Sequence, residues 1–319
     1  MYEDIILHEA DIISVIVLAY NSADTITSTL ESIAKQEYGA KNIELIISDD
    51  ASQDLTISII ENWLVDNYLK FYFVNKIYHH KNLGIVANLD NAYKTASGKW
   101  IKVIAGDDIL TSNCLSIYSE FTKKSQGRVF LSYIQSFSQN SIGIVKKDIL
   151  PPRSQVVLLK HGTLQQQKKH LMNFSFSATP SLFIEKKLLD DIGYLDKKYR
   201  LMEDYPLWHK ITDYGERIYF VPEITVLYRV QESVSRSKEK IVNLDFLTDI
   251  LRFEKILIKR LSPVSITYHR RKLWCYLYPL LIRLVNNKKN IFSRGCIFLL
   301  NVILKPLYLS TIVRRYFEK

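Results

Sequence analysis

Ile43-Glu-Leu-Ile-Ile-Ser-Asp49-Asp50 is an apolar run that ends in two adjacent aspartates, and the chain contains a second such run, Trp100-Ile-Lys-Val-Ile-Ala-Gly-Asp107-Asp108. Strands buried in a parallel sheet have this composition, and the residues after them lie at the carboxyl edge, where open α/β folds bind ligands. Four carboxylates at one edge repel one another unless a cation or hydrogen-bond donors lie between them. The two runs therefore predict a metal-assisted phosphate site.

A simpler interpretation exists for each aspartate pair, because aspartate also favours turns and helix N-caps. For a single pair this alternative is as good as a metal site. It accounts less well for two pairs that each close a strand at the start of a β-to-α passage.

Strand-like and helix-like segments alternate over the first hundred residues. We predict strands at 12–19, 43–48, 71–74 and 100–104, and helices at 25–35, 55–68 and 85–96. This order indicates a mostly parallel, doubly wound sheet covered on both faces. Further along, the predicted elements are a helix at 111–124, a strand at 129–133, loops within 135–169, an apolar segment at 181–184, a helix at 205–212, short strands at 217–221 and 224–229, and helices beyond 237.

Several common site motifs are absent from the sequence. None of its ten glycines belongs to GxGxxG or GxxxxGK[ST], and neither GxSxG nor HExxH occurs. The three cysteines, Cys114, Cys275 and Cys296, are widely spaced, which favours small core residues over a disulfide framework or a zinc cluster. What remains is a phosphate site built on carboxylates and metal.

The charge of the chain is concentrated near its C-terminus. The net charge is +10, but residues 251–319 hold 15 Lys and Arg against two acids, and the rest is slightly acidic. The first residues do not resemble a secretory signal, so we expect a cytosolic protein.

Five segments occur in an order and spacing that resembles family 2 glycosyltransferases, which are inverting enzymes with the GT-A fold. They are Ser14-Val-Ile-Val-Leu-Ala-Tyr-Asn21, Ile47-Ser-Asp-Asp-Ala-Ser-Gln-Asp54, Asn82-Leu-Gly-Ile-Val-Ala-Asn-Leu-Asp-Asn-Ala92, Gly106-Asp-Asp-Ile109 and Met202-Glu-Asp-Tyr205. The resemblance covers roughly residues 12 to 235. It implies the GT-A fold, a doubly wound mixed α/β sheet, with the C-terminal helices as an extension.

The resemblance also implies a nucleotide-diphosphate sugar donor and a divalent cation, Mn²⁺ or Mg²⁺. Asp50 matches the aspartate that accepts a hydrogen bond from the base, commonly uracil. Ala19, Tyr20 and Asn21 end the first strand, where Tyr20 can pack against that base. Asp107 would hold the ribose or join the metal shell, and Asp108 would ligate the cation through oxygen.

One position departs from the family pattern. Ala105 stands where the family often has a further acid, two residues before Asp107. This leaves open whether Asp107 or Asp108 is the principal metal ligand. Water can complete a magnesium shell, so a metal remains expected.

Glu203 and Asp204 resemble the acidic pair at the start of the acceptor-side helix. The resemblance makes Asp204 the candidate general base and Glu203 the reserve, whereas a helix N-cap is the structural alternative for Asp204. Asn82, Gly84 and Asn88 lie in the loop and helix that precede the strand predicted at 100–104. The resemblance implies that they approach the nucleotide sugar, although Gly84 also suits a turn. Arg229 would reach the diphosphate from a closing loop, or would be an exposed surface residue.

We divide the chain into a catalytic domain, residues 1–237, and a basic helical tail, residues 238–319. Within the catalytic domain, 1–110 would bind the nucleotide sugar and 111–237 the acceptor. Apolar runs at 274–285 and 296–313 with cationic flanks favour a helix at a membrane surface over one that crosses it. The alternative is an amphipathic helix packed on the domain; nucleic-acid binding is not indicated.

Together these features predict a metal-dependent inverting glycosyltransferase on the cytoplasmic face of the membrane. It would transfer a hexose or N-acetylhexosamine from a UDP-sugar to a polyprenyl-diphosphate-linked saccharide during O-antigen or capsule assembly. Two rivals remain at this point: a non-catalytic sugar-nucleotide-binding scaffold subunit, and a nucleotidyltransferase, which would release pyrophosphate.

Overall fold

The computed structural model describes residues 11–140, 143–230 and 239–305. In these residues nine strands form one mixed sheet in the order β3-β2-β1-β4-β8-β6-β9-β5, with β7 paired to β6. The strands are β1 Ile13–Ala19, β2 Ile43–Asp49, β3 Phe73–Tyr78, β4 Trp100–Ala105, β5 Ile109–Leu110, β6 Val129–Asn140, β7 Gly143–Leu150, β8 Phe183–Glu185 and β9 Tyr219–Arg229. The helices are α1 Ile26–Ala34, α2 Thr56–Asn67, α3 Ile85–Thr95, α4 Cys114–Lys124, α5 Arg153–His161, α6 Leu164–Leu171, α7 Lys186–Ile192, α8 Asp204–Tyr214, α9 Leu244–Lys259, α10 Ile266–Leu284 and α11 Ile291–Leu304.

Strands β3, β2, β1 and β4 are parallel to one another. Successive residues of β1 belong to different core clusters, because side chains alternate between the two faces of a strand. Helix α1 buries Leu30 on one face of the sheet, and α3 buries Leu89 on the other. The predicted doubly wound arrangement is confirmed for this half of the chain.

The carboxyl ends of three of these strands lie side by side. Ala19 is in register with Asp49, and Leu18 with Ala105. The Asp50 N–H donates to the Ala19 carbonyl at 2.9 Å, and the Gly106 N–H donates to the Leu18 carbonyl at 2.8 Å. The segments after β1, β2 and β4 therefore begin at one edge, as the sequence predicts.

Most of the stretch 135–169, in which the sequence predicts loops, is regular structure, and only short connections separate its elements. Strand β6 continues to Asn140 and pairs with β7, and helices α5 and α6 follow. A register shift between Gln135 and Phe137 breaks the alternation by which a strand is recognised in sequence. The two short strands predicted at 217–221 and 224–229 are one strand, β9, whose pairing with β6 shifts near its centre.

Helices fill the described part of the C-terminal region, as predicted. Helix α9 does not stand apart from the catalytic core: Phe253 packs 4.8 Å from the Tyr205 ring and 5.1 Å from the His209 ring, between centroids. The predicted domain boundary at 237 lies outside the described residues, as does the end of the second apolar run. Among the described helices, none combines the length and apolar character needed to cross a membrane.

Candidate active site

The first aspartate pair, after β2, divides two structural tasks between its members. Asp49 accepts from the Ser52 N–H at 2.8 Å and from the Ser52 hydroxyl, which closes a local turn. Asp50 instead accepts from the N–H groups of Leu83, at 2.7 Å, and Gly84, at 2.9 Å. The turn interpretation therefore holds for Asp49 but not for Asp50, which joins segments that are distant in sequence.

The second pair, after β4, is held by Arg229. The Arg229 N–H donates to a carboxylate oxygen of Asp108 at 2.8 Å, and its Nε donates to the Asp107 carbonyl at 2.8 Å. Arg229 is 6% exposed, and its guanidinium carbon lies 4.6 Å from the Phe137 ring centroid. The interpretation of Arg229 as surface decoration is therefore wrong.

Burial gives the second pair unusual electrostatics. Burial raises the pKa of Asp107, and burial together with the neighbouring Asp107 charge raises the pKa of Asp108 to about 8. Below them in β4, Lys102 is fully buried and donates to the carbonyls of Val103 and Pro180, both at 2.6 Å. Burial lowers the pKa of this ammonium group to about 8.

The carboxylates of Asp107 and Asp108 are the type of oxygen donor that a divalent cation prefers, but two residues are too few to complete its coordination shell. Asp107 is partly exposed, whereas Asp108 is buried, so Asp107 is the more accessible oxygen ligand. Residues 11–140, 143–230 and 239–305 contain no group of three or more His, Cys, Asp or Glu that could hold a metal. A cation at Asp107 and Asp108 would need its other ligands from diphosphate oxygens or water.

The predicted acidic pair lies at the start of α8. Glu203 precedes the helix, and Asp204 is its first residue. One Asp204 carboxylate oxygen accepts from the hydroxyls of Ser175, at 3.2 Å, and Thr179, at 3.3 Å, while the other accepts from the Tyr205 N–H at 2.6 Å. Asp204 is not the N-cap residue, since Glu203 occupies that position without a side-chain capping bond.

Both carboxyls of this pair have raised pKa values. Burial raises the pKa of Asp204, but hydrogen bonds from Tyr205, Ser175 and Thr179 oppose the shift. Burial and the Asp204 charge raise the pKa of Glu203 to about 8. Because the two carboxyls are buried beside each other, ionisation of Asp204 raises the pKa of Glu203, and the two groups titrate as a pair.

A single turn connects the acidic pair to the strand that carries Asp107 and Asp108. Thr179 donates to Asp204, and the carbonyl of the next residue, Pro180, accepts from Lys102 in β4. Residues 179 and 180 therefore contact both the acidic pair and the strand that precedes Asp107 and Asp108.

Arg200 and Asp249 complete the connection, and both are missed by sequence analysis. The Arg200 carbonyl accepts from the Val86 N–H at 3.2 Å, and its guanidinium donates to the Asn82 side chain at 2.7 Å. One oxygen of Asp249, in α9, accepts from the N–H groups of Arg200, Leu201 and Met202 at 2.8, 2.7 and 3.3 Å. The segment from Asn82 to Val86 and the segment before Glu203 are thus fixed to each other.

Comparison with known proteins identifies this arrangement. The sequence profile described as Glycosyl transferase family 2 matches residues 14–191, more than half of the chain. The chain belongs to glycosyl transferase family 2. It is therefore a glycosyltransferase, and the matched residues include both aspartate pairs.

Curated relatives resemble this glycosyltransferase over most of its length. It is 26% identical to WfaP of Escherichia coli, named a UDP-Glc:alpha-D-GlcNAc-diphosphoundecaprenol beta-1,3-glucosyltransferase, across 85% of this chain and 93% of that one. It is also 26% identical to the GalNAc(5)-diNAcBac-PP-undecaprenol beta-1,3-glucosyltransferase of Campylobacter jejuni, across 72% of this chain and 68% of the relative.

Solved structures share the fold of this glycosyltransferase. S. aureus TarS 1-349 in complex with UDP-GlcNAc superposes with a TM-score of 0.59 at 21% identity, across 81% of this chain and 70% of TarS. GalNAc-T7 with UDP, GalNAc and Mn²⁺ superposes with a TM-score of 0.53 at 17% identity, across 70% of this chain and 44% of that one. The predicted GT-A fold is confirmed.

The remaining predicted donor-site residues of the glycosyltransferase differ in how far they are available to a ligand. Tyr20 is 49% exposed beyond the buried Ala19, so its ring is free to stack on a base. Asn21, with φ of 50°, accepts from the Gln53 N–H at 2.8 Å and shapes that loop. Asn88 is buried and bonded to Ser48 through both amide atoms, which favours a supporting role over direct contact with the nucleotide sugar.

Gly84 has no room for a side chain. Its φ is +86°, and a Cβ would lie 2.6 Å from both the carbonyl oxygen and the Cγ of Arg200. Gly84→Ala is therefore expected to lower the free energy of unfolding by about 2–4 kcal/mol, through left-handed backbone strain plus the clash. Urea unfolding measures this loss.

Gly193→Ala is the matched control, because Gly193 also has positive φ, +71°, but open space around its Cβ position. It should lose only about 1–2 kcal/mol from strain. Equal losses in the two variants would show that the contact between Gly84 and Arg200 is not tight.

Proposed function

We propose that this glycosyltransferase is a metal-dependent inverting enzyme. It transfers a hexose or N-acetylhexosamine from a UDP-sugar to a polyprenyl-diphosphate-linked saccharide during assembly of a cell-surface polysaccharide such as O-antigen or capsule. The observation that carries the proposal is the turn at 179–181, which bonds both to Asp204 and to Lys102 in the strand that precedes Asp107 and Asp108.

The donor side of the proposal assigns one task to each predicted donor-site group. Tyr20 would stack on the uracil, and Asp50, whose two oxygens already orient the Leu83 and Gly84 amides, would accept a hydrogen bond from the base edge. Arg229 would place positive charge near the diphosphate. A divalent cation held by Asp107 and Asp108 would neutralise charge on the leaving diphosphate.

The acceptor side centres on Asp204. Its carboxylate would remove the proton from the attacking hydroxyl as that oxygen bonds to the anomeric carbon and the bond to UDP breaks. Attack on the face opposite the leaving group inverts the anomeric configuration. The acceptor class is supported by the two relatives above, whose names specify undecaprenol diphosphate-linked saccharides.

The C-terminal helices support a peripheral position on the inner face of the cell membrane. Helix α10 packs inward through Trp274 and through the ion pair of Arg271 with Glu254, at 3.0 Å. Its exposed apolar residues recur at intervals of three and four, and more follow on α11: Leu273, Tyr276, Leu280, Leu284, Ile291, Phe292, Leu299 and Ile303. Such a face, beside many cations, suits the surface of an anionic bilayer.

Removal of divalent metal tests the central part of the proposal. With a labelled UDP-sugar panel and a polyprenyl-diphosphate-linked acceptor, EDTA should abolish transfer, and excess Mn²⁺ or Mg²⁺ should restore it. UDP, and not pyrophosphate, should be released. Transfer that continues at full rate in EDTA would contradict the metal dependence.

A further inference from the structure

A basic cleft lies between α9 and the segment that leads to Glu203. Its volume is about 720 Å³, and its lining residues are Lys197, Lys198, Arg252, Lys255, Ile256 and Lys259. The four residues from α9 recur at intervals of three, four and seven, so they form a single stripe along the helix. Five of the six lining side chains are cations.

The positive charge of this cleft is only partly neutralised. Lys197 pairs with Asp90 at 3.2 Å, Lys198 pairs with Asp196, and Arg252 pairs with Asp249 at 3.7 Å. Within the described ranges, Lys255 and Lys259 have no acidic side chain at ion-pair distance. They are exposed and four residues apart on one helix, an arrangement of like charges that destabilises the helix slightly. A bound anion would relieve this repulsion.

The cleft begins beside the proposed acceptor site. Asp249, which fixes the backbone of residues 200–202, lies one turn before Arg252 on α9. Arg252 donates to the Lys198 carbonyl at 2.6 Å, five residues before Glu203. Asp249 contacts the segment before α8, and Arg260 contacts Asp213 near its end, so α9 runs alongside α8 in the same direction. The stripe thus extends away from the acidic pair by about 10 Å.

From this geometry we infer that the cleft binds the diphosphate of the acceptor. The inference rests on the proposed function, in which the acceptor saccharide is joined to its lipid through a diphosphate. Two linked phosphates are a compact polyanion that ammonium and guanidinium groups bind through charge-assisted hydrogen bonds. Ile256 provides an apolar contact for the first carbons of the lipid. The cleft would hold the non-reacting end of the acceptor while its hydroxyl lies at Asp204.

The double variant Lys255→Gln/Lys259→Gln tests the inference. Both side chains are exposed, so the fold should be unaffected. We expect KM for the diphosphate-linked acceptor to rise about tenfold, with kcat and the donor KM unchanged, because two charged contacts are lost. KM for the same saccharide on an uncharged alkyl chain should not change. The control Lys123→Gln/Lys124→Gln removes two exposed charges from α4 and should leave the KM for either acceptor unaltered.

Two further measurements are needed. One distinguishes the acceptor diphosphate from lipid headgroups as the ligand of the cleft, and the other distinguishes failure of the cleft inference from failure of the proposed function. Binding to phosphatidylglycerol vesicles, measured by flotation, should be equal for wild type and Lys255→Gln/Lys259→Gln. Selective loss of vesicle binding with unchanged acceptor KM would assign the cleft to lipid headgroups and overturn the inference.

The kinetic results separate the cleft from the proposed function. If the wild type transfers normally and the variant has the same acceptor KM, only the cleft inference is overturned. If the wild type transfers to no acceptor, the proposed function fails, and titration with inorganic pyrophosphate in metal-free buffer decides the cleft: weaker binding by the double variant supports it, and equal binding overturns it.

Discussion

Asp204→Asn is expected to lower kcat by about 10²–10⁴-fold, the usual contribution of a positioned general base. The amide has the size of the carboxylate: its oxygen can accept from the Tyr205 N–H, and its NH2 group can donate to the hydroxyl oxygens of Ser175 and Thr179, so the local structure should persist. It cannot accept a proton from the attacking hydroxyl. Donor affinity, measured by titration with the UDP-sugar, should stay close to that of the wild type.

Glu203→Gln is the matched control for this loss. Because burial and the Asp204 charge raise the pKa of Glu203 to about 8, a neutral amide resembles the protonated form that this site favours. The variant should retain kcat within about tenfold at pH 7. If Glu203→Gln were inactive and Asp204→Asn active, the roles of the two acids would be reversed.

The pH profile provides a second readout of the same base. Burial raises the pKa of Asp204, so the proton leaves it at a higher pH than it leaves an ordinary aspartate. Transfer should therefore be lost as pH falls through this raised pKa and should be present above it. If kcat/KM instead falls only in the pH range where an ordinary aspartate titrates, the carboxyl is solvated when it acts.

Asp249→Ala is expected to have the second largest effect, although Asp249 touches no reacting group. Its side chain is 1% exposed, and one of its oxygens receives three backbone N–H groups from residues 200–202. Removing a carboxyl acceptor from three buried N–H donors costs about 3 kcal/mol or more in the free energy of unfolding. The same backbone leads to Glu203. At temperatures where the variant is still folded, kcat should therefore be about 10²-fold lower than in the wild type.

Asp249→Asn separates charge from geometry, since it keeps one oxygen acceptor and should lose less stability than the alanine variant. Asp245→Ala is the control on the same helix: Asp245 is exposed and lies 3.6 Å from the Arg200 Nε in a surface ion pair, worth at most about 1 kcal/mol. Urea unfolding and steady-state kinetics measure both quantities. Equal kcat for wild type and folded Asp249→Ala would limit Asp249 to a stabilising role.

Local patterns predicted the parts of the site that follow strands. The runs before Asp50 and Asp108 are continuous and apolar, so their burial, their strand geometry and their common edge follow from composition and from the parallel order of the sheet. The family resemblance supplied the acidic pair and the loop at Asn82 and Gly84. These roles remain predictions.

Sequence reasoning failed where the pattern was irregular or the partner was remote. The hairpin of β6 and β7 contains a register shift, so its residues do not alternate cleanly. Asp249 did leave one signal: it precedes Phe253 and Leu257 at intervals of four, which places a charged residue on the buried face of an amphipathic helix. No such signal marks Arg200, whose contacts with Val86 and Asp249 are made by its backbone.

By itself, the sequence determined the alternation of strands and helices, the edge at which the aspartates lie and the family of the enzyme, because each depends on the periodicity or order of nearby residues. Only the tertiary structure decided that Asp50 orients the Leu83 and Gly84 amides, that Arg229 is buried against Asp107 and Asp108, and that a carboxylate in the predicted tail positions the segment before Asp204. These contacts join residues far apart in the chain, and most of them use backbone N–H or C=O groups. Every residue except proline carries both of these groups, so no side-chain pattern can specify such partners.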